Sequence, residues 1–201
     1  MFSVLEEKYN YSVIGIDEAG RGPWAGPVVA CALLYSDKIP ENVNDSKQLS
    51  EVAREKLYPL LLQNCAYGIG EASVDEIDEL NILNATKLAM VRAYENLGKT
   101  ANIILVDGNM VPKFPNNALS EFVIQGDSKV KAIAAASIIA KVYRDRLMYK
   151  LHNDFPEYNW ASNKGYGTKA QIEAIEKYGI TIHHRKSFKP IKEAILKLEN
   201  A

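Results

Sequence analysis

Eight apolar residues run without interruption from Val28 to Tyr35, directly after Pro27. A run of that length fits a strand buried on both faces. It is far shorter than the roughly 18 residues a membrane span requires, and no longer apolar run exists in the chain. Around it lie segments of two kinds. Tyr11–Ile16 alternates and is β-branched, which predicts a first strand forming a near-hairpin with the buried one. Ala66–Ala72, Asn102–Val106 and Glu121–Gln125 predict three more. Ser50 caps a predicted helix to about Gln63. A short acidic segment, Val74–Leu80, precedes a helix over Asn81–Leu97 that Gly98 closes. Asp127 or Ser128 is placed to cap a long helix reaching about His152, and Thr168–Tyr178 and Lys189–Leu198 predict two more. A hairpin followed by alternating strands and helices implies an α/β sheet of mixed direction.

No linker, repeat or low-complexity tract divides the 201 residues. One domain over 1–201 is expected, with a C-terminal helical segment from about 168 packed on it; a chain this long buries enough surface to need no disulfide staple. Cys31 and Cys65 sit in apolar surroundings and read as buried free thiols of a reducing compartment. The first residues carry Glu6 and Glu7 and no signal-like apolar core, so a cytoplasmic protein without membrane contact is expected.

The net charge of −1 conceals an asymmetry. Residues 1–127 hold 10 Lys/Arg against 18 Asp/Glu, whereas 128–201 hold 14 against 7. Solvated helix faces explain such a split. So does a chain with acids for a metal in one part and bases for a polyanion in another.

Three short segments could carry chemistry. Asp17-Glu18 end the first strand and enter the turn Ala19-Gly20-Arg21-Gly22-Pro23. Neighbouring strand side chains point to opposite faces, so the two acids share a site only if the chain bends there. A plain turn is the competing reading. Asp107 ends the apolar strand Ile103–Val106, at the edge where open α/β sheets place ligands, or serves a structural turn. Asp127 lies in Gly126-Asp127-Ser128, where a helix cap and a metal ligand are compatible roles. These are four carboxylates from three distant segments, the all-oxygen donor set that hard divalent cations prefer. Zinc spacings, a phosphate-binding GxxxxGK loop and a G-x-S-x-G elbow are absent. The basic part offers Tyr166 between Gly165 and Gly167, suited to hydrogen-bond or pack on a sugar, and His184-Arg185-Lys186, suited to phosphates. The acids Asp75, Glu76, Asp78 and Glu79 read as an exposed helix start.

In order along the chain, Asp17-Glu18-Ala19-Gly20-Arg21-Gly22-Pro23, Gly26-Pro27-Val28, Asp45-Ser46-Lys47, Val106-Asp107-Gly108, Gly126-Asp127-Ser128-Lys129, Ala134–Val142, Arg144-Asp145, Gly165-Tyr166-Gly167-Thr168 and His184-Arg185 resemble the type 2 ribonuclease H (ribonuclease HII) family. Each motif is short; their joint order over residues ~12–190 is specific. The resemblance implies a ribonuclease H-like fold: a mixed five-stranded sheet flanked by helices, with a helical C-terminal part. It implies an endonuclease that cuts RNA in RNA–DNA hybrids and single ribonucleotides embedded in duplex DNA, on their 5′ side, leaving 3′-hydroxyl and 5′-phosphate ends. By motif match the catalytic and metal-binding acids are Asp17, Glu18, Asp107 and Asp127. Two Mg²⁺ or Mn²⁺ ions are expected, with Asp17 and Asp107 shared between them. Gly20, Arg21, Gly22 and Tyr166 are expected to sense the 2′-hydroxyl, and Lys47, His184, Arg185 and Lys164 to contact phosphates. A monomer is expected, and no protein partner is readable. A non-catalytic nucleic-acid-binding module on the same fold, and a Mg²⁺-dependent phosphatase or nucleotidyl enzyme acting on small molecules, are the alternatives; the four acids weigh against the first and the basic C-terminal half against the second.

Overall fold

A computed structural model of the chain describes residues 3–43 and 49–199. Five strands form one sheet: β1 (Val13–Ala19), β2 (Val28–Leu34), β3 (Tyr67–Ala72), β4 (Ile103–Asp107) and β5 (Ser120–Val123). Their spatial order is β3-β2-β1-β4-β5. β2 pairs antiparallel with β1 and β3, while β1–β4 and β4–β5 are parallel. The expected mixed five-stranded sheet is therefore present. β1 outruns its predicted end at Ile16 by three residues, because Asp17, Glu18 and Ala19 stay in register with Cys31, Ala30 and Val29. The continuous run in β2 is buried along nearly its whole length, as expected of a strand covered on both faces.

The helices are α1 (Ser3–Lys8), α2 (Glu51–Asn64), α3 (Val74–Leu97), α4 (Lys131–Asp154), α5 (Trp160–Asn163), α6 (Lys169–Tyr178) and α7 (Lys189–Glu199). Strand alternation sorts the core into two layers. Ile14, Ile16, Ile104 and Val106 pack with Ala85, Ala89 and Ala93 of α3. Val13, Ile103 and Leu105 pack with Ala132–Ala136 of α4 and Leu57 and Leu61 of α2. A third cluster joins Ala25 and Met148 to Tyr158, Trp160, Ile175 and Ile191, and so carries the C-terminal helices. Both cysteines are buried and unbridged.

Helix starts are decided by local chemistry at some points and by distant chemistry at others. Ser73 and Glu76 form a reciprocal capping box on α3. The boundary expected at Asn81 appears as a break inside this helix, with Asn81 at φ 66° and its Oδ1 accepting from the amides of Leu83 and Asn84. Asp127 and Ser128 do not cap α4. They lie in a 3-10 turn, and α4 begins three residues after Ser128. The short helix α1 has no expectation behind it.

Candidate metal centre

Asp17 follows Val13 and Gly15 on the strand face that α4 covers. Asp107 follows Ile103 and Leu105 on that same face of β4. Two parallel strands ending side by side therefore point one carboxylate each toward the start of α4. The turn before α4 supplies the third: Asp107 Oδ1 accepts from the Gly126 amide at 2.6 Å, which holds the turn carrying Asp127 against the end of β4. Asp17, Asp107 and Asp127 each offer an oxygen within 4.8 Å of the others. Asp17 and Asp127 are almost fully buried.

Glu18 is not part of this triad. It borders the same cleft and pairs with Arg21 Nη1 at 3.4 Å. β1 stays in the sheet through Ala19, yet among the charges acting on Asp17 that of Glu18 is the largest, so the two carboxylates lie near one another. Burial raises the Asp17 carboxyl well above the usual aspartate range, and the charges of Glu18, Asp107 and Asp127 raise it further. Crowded oxygen ligands with unfavourable mutual charge are what a divalent cation relieves, so the donor set fits Mg²⁺ or Mn²⁺.

A cleft of about 260 Å³ is lined by Asp17, Glu18 and Asp107 together with Gly20, Arg21, Gly22, Arg54, Lys141, Arg144 and Tyr166. Gly20 has φ +98°, and a Cβ there would stand 2.0 Å from Arg144 Nε, so the position accepts glycine alone. Arg144 is a residue that sequence reasoning missed as a site component. It is 1% exposed and donates to the carbonyls of Ala25, Pro27 and Lys164. Its only sequence signal was a place within the motif order. Lys141 pairs with Asp145 one turn further along α4 at 2.6 Å, and burial lowers its pKa.

Tyr166 is half exposed at the cleft rim, with Cε1 3.2 Å from where a Gly22 Cβ would be. Its loop is braced from inside. Trp160 Nε1 donates to Gln171 Oε1 at 2.6 Å, and Gln171 Nε2 donates to the carbonyls of Gly165 and Tyr166.

His184 and Arg185 depart from expectation. Both are fully buried, so neither side chain reaches a phosphate at the surface. Arg185 donates to the carbonyls of Gly20, Arg21, Gly26 and Pro27, bracing the glycine turn from beneath. His184 Nδ1 accepts from the Thr181 amide, its ring lies against Tyr158 and Trp160, and burial pushes its pKa down to about 4. Lys164 is likewise buried, with Nζ bonded to the Ala161 carbonyl and lying over the Tyr149 ring. Burial makes these three side chains supports of neighbouring backbone rather than ligand contacts. Lys47 lies outside the described residues.

The family profile described as Ribonuclease HII matches residues 14–191, nearly the whole chain. The chain belongs to the ribonuclease HII family. A ribonuclease HII from Wolbachia sp. subsp. Brugia malayi is 52% identical over 189 residues, covering 93% of this chain and 92% of that protein. Among solved structures, the ribonuclease H2 from Pyrococcus horikoshii OT3 has a TM-score of 0.77 at 30% identity, covering 94% of this chain and 99% of that one. Bst-RNase HIII in complex with Mn²⁺ has a TM-score of 0.79 at 18% identity, covering all of this chain and 74% of that one, and shares the fold. Membership in the family makes this chain a ribonuclease H. Among the described residues, no helix is long and apolar enough to cross a membrane.

Proposed function

We propose that this ribonuclease hydrolyses the RNA strand of RNA–DNA hybrids and cuts on the 5′ side of single ribonucleotides embedded in duplex DNA, leaving 3′-hydroxyl and 5′-phosphate ends. The observation that carries the reading is the convergence of Asp17, Asp107 and Asp127 at a cleft that Asp17 and Asp107 line together with the Gly20–Gly22 turn and Tyr166. Asp17, Asp107 and Asp127, with Glu18 at the cleft edge, would hold divalent ions. Bound there, a pair of such ions supplies activation of a water nucleophile and charge stabilisation for the leaving 3′-oxygen. A Mn²⁺ complex of a protein of the same fold is in keeping with that assignment.

The remaining work falls to the chain's own groups. Asp107 holds the turn bearing Asp127 through the Gly126 amide, so the carboxylates are oriented before substrate arrives. Beneath the glycine turn, Arg144 and Arg185 are neighbouring guanidiniums bonded to carbonyl oxygens. Burial lowers their pKa values to about 10 and about 9, yet both remain charged at neutral pH. Their positive potential favours a phosphodiester backbone along this wall. Tyr166 presents its hydroxyl at the rim to a ribose 2′-hydroxyl, the group that separates RNA from DNA at one nucleotide. Cytoplasmic action as a monomer belongs to the same reading.

The test is cleavage of a duplex containing one ribonucleotide, with and without Mg²⁺ or Mn²⁺, and with product ends mapped. Metal-dependent nicking with a 3′-hydroxyl and a 5′-phosphate is expected. Asp107→Asn keeps an oxygen for the Gly126 amide and removes one charge. It should cut at least about 100-fold more slowly while still binding substrate, a loss of several kcal/mol in transition-state stabilisation. Wild-type cleavage by this variant refutes the assignment.

A further inference from the structure

The long helix α4 starts without a local cap. Val130 occupies the cap position, and its side chain accepts no hydrogen bond. The acceptor comes from the other end of the chain: Glu6, on α1, receives the Lys131 amide on Oε1 at 2.6 Å. Glu6 is fully buried, and among the described residues its Oε2 has no hydrogen-bond partner. A buried carboxylate with one oxygen unpaired is costly to keep, so its placement calls for a return.

What Glu6 holds is the segment that ends in the metal centre. Val130 and Lys129 donate back to the Gly126 carbonyl at 2.8 and 2.9 Å, closing the turn that carries Asp127 directly onto the start of α4. The Gly126 amide in turn binds Asp107. On the other side, the first turn of α4 is pressed against β1 at Gly15, two residues before Asp17. The start of α4 therefore touches the supports of all three clustered carboxylates.

We propose that Glu6 is a positioning residue for the metal centre: by capping α4 from a distance it sets the placement of the Asp127 turn relative to Asp17 and Asp107. This rests on the metal-binding reading above. Burial raises the Glu6 carboxyl, and the backbone amides of Lys131 and Ala132 oppose that rise, in keeping with a carboxylate held for its acceptor capacity. Glu6 itself lies outside the group of clustered carboxylate oxygens.

Two variants remove the contact from opposite ends. Glu6→Leu removes the acceptor and keeps the bulk. Lys131→Pro removes the donor at the first helical position, where proline is at home, and Val130 already has the extended backbone that precedes a proline. Glu6→Gln retains an amide oxygen as acceptor. The readouts are Mn²⁺ binding to the full chain by titration calorimetry, the Mn²⁺ concentration for half-maximal cleavage, KM for the substrate, and Tm. Glu6→Leu and Lys131→Pro should weaken Mn²⁺ binding roughly 10-fold, as loss of an outer support of metal ligands does. KM should stay within about twofold, and Glu6→Gln should restore most of the affinity. If Tm falls while the Mn²⁺ curves overlay the wild type's, Glu6 is structural only and the proposal is overturned. Should Glu6→Leu fail to fold, the Mn²⁺ curve of Lys131→Pro decides alone. Asp127→Asn separates the two levels: wild-type Mn²⁺ binding in that variant overturns the metal reading and this one with it. Weakened binding there beside wild-type binding in Lys131→Pro overturns the positioning role only.

Discussion

Single residues in this cleft work at two depths. Asp17, Glu18, Asp107, Arg144 and Tyr166 line the cleft, whereas Gln171, His184 and Arg185 are fully buried outside that lining and hold the loops in shape. The sequence offers no means of telling these depths apart, since a buried arginine bonded to carbonyls and an exposed one awaiting phosphate look the same as letters. Arg185 shows the difference: its guanidinium is consumed by four backbone carbonyls of the Gly20–Pro27 turn. Tyr166 is the opposite case, with its backbone held by Gln171 and its ring half exposed. Tyr166→Phe therefore leaves the loop intact and removes one hydroxyl. It should slow cutting at a lone ribonucleotide by about 10-fold, one hydrogen bond's worth of discrimination. Cutting within a continuous hybrid should be affected less, and comparing kcat/KM on the two duplexes checks this.

At the scale of elements, the meeting of β1 and α4 positions the site. Gly15 lets the helix backbone lie directly on the strand: a Cβ there would fall 2.3 Å from the Ala132 carbonyl carbon, against backbone that cannot rotate away. Gly15→Ala should cost about 1–3 kcal/mol or more by overpacking, and should also displace the start of α4 from Asp17. Denaturant unfolding together with Mn²⁺ titration measures both effects, and wild-type values in each would show that the contact relaxes freely. Element starts were legible where the capping chemistry is local. Ser50, Ser73 and Thr168 each accept from an amide three residues on. The start of α4 was not legible, because Glu6 lies 125 residues away in sequence.

For the molecule as a whole, acid sensitivity follows from the buried C-terminal cluster. His184 has a folded pKa of about 4 against an ordinary 6.5. The unfolded chain therefore takes up a proton first as pH falls, and stability drops between pH 6.5 and 4. Summed over that window the loss is about 3 kcal/mol, with about 2 kcal/mol gone by pH 5. Glu76, lowered to about 2 by Arg92, adds its own loss only below pH 4.5. His184→Asn keeps an acceptor for the Thr181 amide and removes the titration, so urea unfolding at pH 7 and 5 should show a smaller drop than wild type. Equal drops would place the acid sensitivity elsewhere. The sequence by itself determined the strands and most helices and pointed to four candidate acids, because apolar periodicity, capping residues and motif order are local properties written in consecutive letters. Only the tertiary structure decided which acids meet. Asp17 and Asp107 join because their strands run parallel with matching faces, Asp127 joins because α4 is seated on Gly15 and Glu6, and Glu18 borders the same cleft from the end of β1. Burial, which turned His184 and Arg185 from ligands into supports, is a property of the packed whole and of no segment within it.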